Sequence, residues 1–174
     1  RALTAQSCNY NAHFFWGRNL IDQKDYDKAL KKHREIIIKN PQDDWAYFNL
    51  GVMFQRTEKF SEAETQYKKS LSLKSSNVDA FHNLVHILAR QYRYKEALEQ
   101  CEKHIQMNPN DDSAYNNLGY LKFILGDYED AVKRFEDAIQ KSKQDSLYYM
   151  NKSLALYCLG KRKLAVKIFK KSVG

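Results

Sequence analysis

The feature that most limits how this chain can fold is an internal period of 34 residues. The triplets Asn49-Leu50-Gly51, Asn83-Leu84-Val85 and Asn117-Leu118-Gly119 recur at that spacing, and Asn151 continues it. In this register the chain falls into blocks 10–43, 44–77, 78–111, 112–145 and a shortened 146–174, with no insertion anywhere. Such a period means that one supersecondary unit is copied. Each copy leaves an apolar face exposed, and stacking the copies buries it.

The columns of the register have physical roles. The last place of successive blocks holds Asp43, Asn77, Asp111 and Asp145, residue types whose side chains cap the free N–H groups of a helix start. The third place holds Ala12, Ala46, Ala80 and Ala114, and the fourth is aromatic from Tyr47 to Tyr149. The eighth is small or short: Gly17, Gly51, Val85, Gly119 and Ser153. A break follows near Thr57-Glu58, Tyr92-Arg93, Gly126-Asp127 and Gly160-Lys161, and then an alanine in every block: Ala29, Ala63, Ala97, Ala131 and Ala165. Apolar residues on either side of the break follow helical spacing. Each block is therefore expected to be a helix of about 13 residues, a tight turn and a second helix of about 14. Small places let the pair approach closely. Only 6 Gly and 2 Pro in 174 residues suit a helical chain better than a strand-and-turn fold.

Period, columns and the prolines Pro41 and Pro109 together resemble the tetratricopeptide repeat (TPR) family over residues 10–174. The resemblance implies an all-α, right-handed superhelix (α-solenoid) of stacked antiparallel helix pairs, with residues 1–9 as the end of a preceding helix and the whole a single TPR domain. Lys122, Lys152 and His104 depart from the family pattern, standing where large apolar residues and an alanine are usual. The family also implies that first helices line a concave groove. Its sixth place carries Asn49, Asn83, Asn117 and Asn151, a column similar to that in the TPR region of O-linked N-acetylglucosamine transferase. A carboxamide both donates and accepts, so such a column can hold the backbone of an extended peptide, or it can serve hydrogen bonds within the array. Neighbouring groove places hold Trp45 and Phe48; Asp79, His82 and His86; and Asn116, Tyr120 and Phe123. Block one offers Asn11, Phe14, Arg18 and Ile21, and block five Leu147, Met150, Leu154 and Tyr157. The basic clamp that some family members use for chaperone C-terminal tails is missing, because its places hold Phe14, Arg18, Asp79 and Asn83, or Phe48, Val52, Ser113 and Asn117.

Enzyme signatures are missing. His82 and His86 lie one helical turn apart with Asp79 before them, but no Glu follows His82, so the H-E-x-x-H zinc motif is not formed. There is no phosphate-binding glycine loop and no nucleophile elbow. No catalytic residue, metal or cofactor is expected, and His13, His33 and His104 occupy packing places. The three cysteines, Cys8, Cys101 and Cys158, are far apart and odd in number, as in a reducing compartment. No run approaches the ~20 apolar residues of a membrane span and no leader pattern opens the chain, so a cytoplasmic location is expected. A start at Arg1 is expected of a segment from a longer protein.

The net charge of +8 is uneven. Residues 1–145 sum to +1, and block five carries +7, with Lys161, Arg162, Lys163, Lys167, Lys170 and Lys171 clustered near its end. This cluster can be a basic amphipathic helix for RNA or another acidic surface, or a solvated face on a helix that packs against a further repeat. The reading favoured by the sequence is a non-catalytic scaffold or adaptor holding a partner protein's extended segment or helix, rather than a nucleic-acid binder. A regulatory region of a larger enzyme and self-association remain alternatives.

Overall fold

The computed structural model describes residues 26–172. The expected first helix of block one, residues 1–9, and the groove places Asn11, Phe14, Arg18 and Ile21 lie outside the described residues. Those described form nine helices and no strand: α1 (Tyr26–Lys39), α2 (Asp44–Arg56), α3 (Phe60–Leu73), α4 (Val78–Arg90), α5 (Tyr94–Met107), α6 (Asp112–Ile124), α7 (Tyr128–Lys141), α8 (Ser146–Cys158) and α9 (Arg162–Lys170). First helices are 13 residues long and second helices 14, except α9, which has 9.

Helix starts follow the capping column. Asp43 accepts from the Ala46 amide at 3.0 Å, Asn77 from Ala80 at 3.1 Å, Asp111 from Ser113 and Ala114, and Asp145 from Leu147 at 2.9 Å. Each satisfies amides that a helix start leaves open. Hairpin turns repeat one backbone geometry. Glu58, Tyr92, Gly126 and Gly160 all take a left-handed conformation, with φ between 60° and 81°. The next amide reaches the carbonyl five residues back: Lys59 to Phe54, Arg93 to Leu88, Asp127 to Lys122 and Lys161 to Leu156, at 2.9–3.0 Å. This is the Schellman closure, which uses the last helical carbonyls and ordinarily favours glycine.

Close approach within a hairpin is required at Gly51 and Gly119. A Cβ on Gly51 would lie 2.5 Å from the Tyr67 ring, and one on Gly119 2.8 Å from the Phe135 ring. Tyr67 and Phe135 share one place of the repeat, and both are buried. The alanine column Ala29, Ala63, Ala97, Ala131 and Ala165 is buried throughout.

The helices form two compact units that divide within α4, after Ile87. In the first unit, the buried Asn77 amide donates to Ser70 at 3.0 Å and to Asp44 at 3.1 Å, tying the start of α4 to α3 and α2. In the second unit the departures from the family pattern have local reasons. His104 donates from Nε2 to Asp111 Oδ2 at 2.7 Å, so a buried couple replaces the alanine contact. Lys122 meets Asp130 at 3.2 Å and Asp127 at 3.6 Å, and Lys152 meets Glu136 on α7 at 3.2 Å. Tyr148, where other blocks have alanine, reaches back to donate to Asp112 at 2.8 Å.

Candidate functional site

First helices carry the asparagine column, and each unit presents its own part of it. In the first unit, α2 holds Asn49 half-buried, one turn after Trp45 and directly after Phe48. Phe48 is only 8 % exposed, edge-on to Trp45 at 5.1 Å and tilted against Tyr67 at 6.0 Å. Its ring is packing material for α2 and α3, while Trp45 keeps a partly open surface. Beyond it, Tyr67 donates to Gln55 at 2.6 Å and accepts from the Asn83 amide. Burial, only partly offset by the Asn83 bond, pushes the Tyr67 phenol well above its usual range, so it stays a neutral donor. Asp79 and His86 are exposed, and the half-buried His82 ring lies 5.2 Å from that of Phe81.

In the second unit, α6 and α8 run side by side through the column. Asn151 donates to Oδ1 of the buried Asn116 at 2.8 Å, a bond from the sixth place of one repeat to the fifth of the one before. Asn117 is half-buried next to it. Tyr120 is 50 % exposed and forms the open aromatic surface of this unit. Phe123 instead packs on Ala131, Phe135 and Ala155, with its ring 5.4 Å from Tyr128.

Among the four amides, Asn83 and Asn151 thus make bonds inside the protein. One such bond leaves an asparagine with a further N–H and acceptor lone pairs. The column therefore serves the array and retains polar capacity at its surface.

The six residues of the basic cluster are all exposed, on α9 and its flanks. Arg162 sits over the Tyr157 ring at 5.7 Å, joining the cluster to α8. Among the described residues no three His, Cys, Asp or Glu side chains gather to hold a metal ion, and no helix is long and apolar enough to cross a membrane.

One couple went unread in the sequence. His104 stands seven residues before Asp111, the spacing that also separates Ser70 from Asn77. Burial alone would raise the Asp111 carboxyl. Hydrogen bonds from His104 and Ser113, the His104 charge and the Ala114 amide outweigh it and hold the carboxyl at about 2. The repeat register contained the signal, since both pairs join the same two places.

Two models of the tetratricopeptide repeat match the chain, over residues 46–77 and 88–155, together more than half of it. No curated protein matches it in sequence. Among solved structures, MamA is 22 % identical with a TM-score of 0.75, over 90 % of this chain and 92 % of that one. PilF of Pseudomonas aeruginosa is 21 % identical with a TM-score of 0.76, over 94 % and 76 %. YrrB, described as a TPR protein with an unusual peptide-binding site, is 19 % identical with a TM-score of 0.67, over 92 % and 83 %. At these identities the likeness is one of fold, and it is an all-α TPR fold.

Proposed function

Because this chain belongs to the tetratricopeptide repeat family, we propose that it is a non-catalytic interaction scaffold whose first-helix faces hold a segment of a partner protein. The observation that carries this reading is the in-phase amide column, half-buried at Asn49, Asn83, Asn117 and Asn151. Half-burial suits recognition: the amides are held by their helices, yet reach the surface. Repeats advance by about 10 Å, taking the packing distance of helices as a guide. An extended chain rises ~3.3 Å per residue, so one amide meets about every third residue of a bound segment. Trp45 in the first unit and Tyr120 in the second supply aromatic surface beside the amides. YrrB's described peptide-binding site supports peptide recognition as a use of this fold.

Replacing Asn49 and Asn117 together by Ala is the test, with the thermal melt as the control for any contact inside the protein that the two changes remove. Losing two peptide hydrogen bonds at ~1 kcal/mol each predicts roughly tenfold weaker binding or more. Partners captured with the wild-type chain are identified and titrated against both proteins. Unchanged affinity, with an unchanged thermal melt, would remove the amide column from the mechanism.

A further inference from the structure

Neither packing nor the amide column uses the lysines of α9. Lys163, Lys167, Lys170 and Lys171 follow one another at intervals of four, three and one, and Lys171 keeps helical backbone angles at the C-cap. At ~100° per residue the four share an arc of about 100°, and at ~1.5 Å per residue they span about 12 Å. The opposite side of the helix is the packed one. Ala165, roughly 200° around from Lys163 and Lys167, is buried, and its carbonyl accepts from the Ser153 hydroxyl on α8 at 2.9 Å. The lysines are thus turned away from α8, and all four are exposed.

These places face outward in every repeat. Their equivalents on α1, α3, α5 and α7 are exposed too, Asp137 alone being half-buried, although a further helix pair follows each of those helices. Exposure therefore belongs to the place in the repeat, and a following repeat does not remove it. What sets α9 apart is charge. Over these four places α1 and α5 sum to zero, α3 to +2, α7 to −2 and α9 to +4. Lys68 on α3 is paired with Glu64 at 2.6 Å. The acids of α7 also have partners, Glu136 with Lys152 at 3.2 Å and Asp137 with Arg134 at 3.4 Å. From Ser146 to Ser172 there is no Asp or Glu to neutralise the lysines of α9.

We propose that the outward lysine stripe of α9 attaches the protein to an anionic lipid surface, its ammonium groups meeting the phosphate and carboxylate headgroups. Four lysines on one helix face form the kind of cluster that a negatively charged leaflet attracts. A helix face is a ridge, so a broad surface can meet all four, whereas an acidic peptide would find no groove along it. Nucleic acid fits less well. None of the four places is aromatic, so bases have nothing to stack on, and lysine lacks the planar fork with which arginine grips a phosphate. The contact needs no acyl chain and no inserted apolar face, so it is reversible and weakened by salt. It goes beyond the scaffold reading and uses no residue of the amide column, so the two fail separately.

The test uses the full chain and sucrose-loaded vesicles of phosphatidylcholine, alone or with about a third phosphatidylserine. Co-sedimentation should show binding to the mixed vesicles, none to phosphatidylcholine alone, and several-fold weakening between about 50 and 300 mM salt. Each lysine near such a surface adds about fivefold to the affinity, so Lys163→Gln, Lys167→Gln, Lys170→Gln together should weaken binding roughly thirtyfold or more. Arginine in the same three places should preserve it. A control triple, Lys95→Gln, Lys103→Gln, Lys133→Gln, removes the same charge from outward places of α5 and α7 and should cost under about threefold. All six lysines are exposed, so circular dichroism and the thermal melt should not change. Failure to bind the mixed vesicles, equal binding to both kinds, or indifference to salt overturns the proposal. Equal losses from the two triples also overturn it, because net charge and not the stripe would then be the cause. Binding of fluorescent poly(U) without binding to the mixed vesicles overturns it as well and makes nucleic acid the occupant. If the vesicles fail while Asn49→Ala, Asn117→Ala still weakens partner binding, only this inference falls.

Discussion

The hairpins α6–α7 and α8–α9 are neighbours in one unit, built on the same register and closed by the same glycine turn, yet they are opposites in chemistry. In α6–α7 the charges are mutual: Lys122 meets Asp127 and Asp130, and Arg134 meets Asp130 and Asp137 at 3.4 Å. In α8–α9 the charges have one sign. The large second-helix place is filled by buried Phe135 in one and by half-exposed Phe169 in the other. The comparison shows that the repeat prescribes where side chains stand, while their neighbours decide whether they are core or surface. One hairpin pairs its charges and buries its large ring; the other carries one sign of charge and a half-exposed ring.

Stability measurements can break or sharpen that contrast. The largest effect is expected from Phe135→Ala, which empties a fully buried ring site and should lower unfolding free energy by about 3–4 kcal/mol in urea melts. Phe169→Ala, at the same place of the next repeat, should lower it by under about 1 kcal/mol. Equal losses would mean that the two places are equivalent after all.

An intermediate effect is expected at the start of α6. His104→Ala leaves Asp111 without its buried partner and should destabilise by about 2 kcal/mol. The Asp111 carboxyl is held at about 2, below its ordinary 3.8. A lowered carboxylate stabilises the fold fully above its unfolded value, and that contribution is lost as pH falls from about 4 through about 2. Urea midpoints measured from pH 5 to 2 should therefore fall less steeply in His104→Ala than in the wild type. Parallel curves would show that His104 does not hold the Asp111 proton off.

The smallest effect belongs to the ion pairs themselves. Lys122 is partly exposed, so Lys122→Met should change stability by no more than ~0.5 kcal/mol, in either direction. A loss beyond 1 kcal/mol would make the charges of α6–α7 a structural requirement and not just a mutual neutralisation.

Much of the fold was legible because its determinants are local and periodic. Caps at Asp43, Asn77, Asp111 and Asp145, and the alanines from Ala29 to Ala165, need only phase to be placed. The candidate surface was legible in part. Trp45 and Tyr120 stand open on their helices, but Phe48 and Phe123, read as groove residues by place, turn their rings into the hairpin packing. Position on a helix sets a direction, and a large ring at a boundary place can still be drawn inward by apolar neighbours. Pairings such as Asn151 with Asn116 join residues 35 apart, and only the stacked structure reveals which amide meets which. Glu58 and Tyr92 gave no residue-type hint of a left-handed turn, although Gly126 and Gly160 at the same phase did.

Those four identical turns have a consequence for how such a chain can change in length. Each closes on the carbonyl five residues back, so the step from one helix to the next is fixed by backbone geometry and not by the side chain at the bend. One residue added within a helix would rotate everything after it by ~100°, carrying caps, small places and rings off their partners together. Growth is then quantised. A lineage of such proteins lengthens or shortens by whole copies of 34 residues, through duplication and loss, while single-residue insertions are filtered out by the packing.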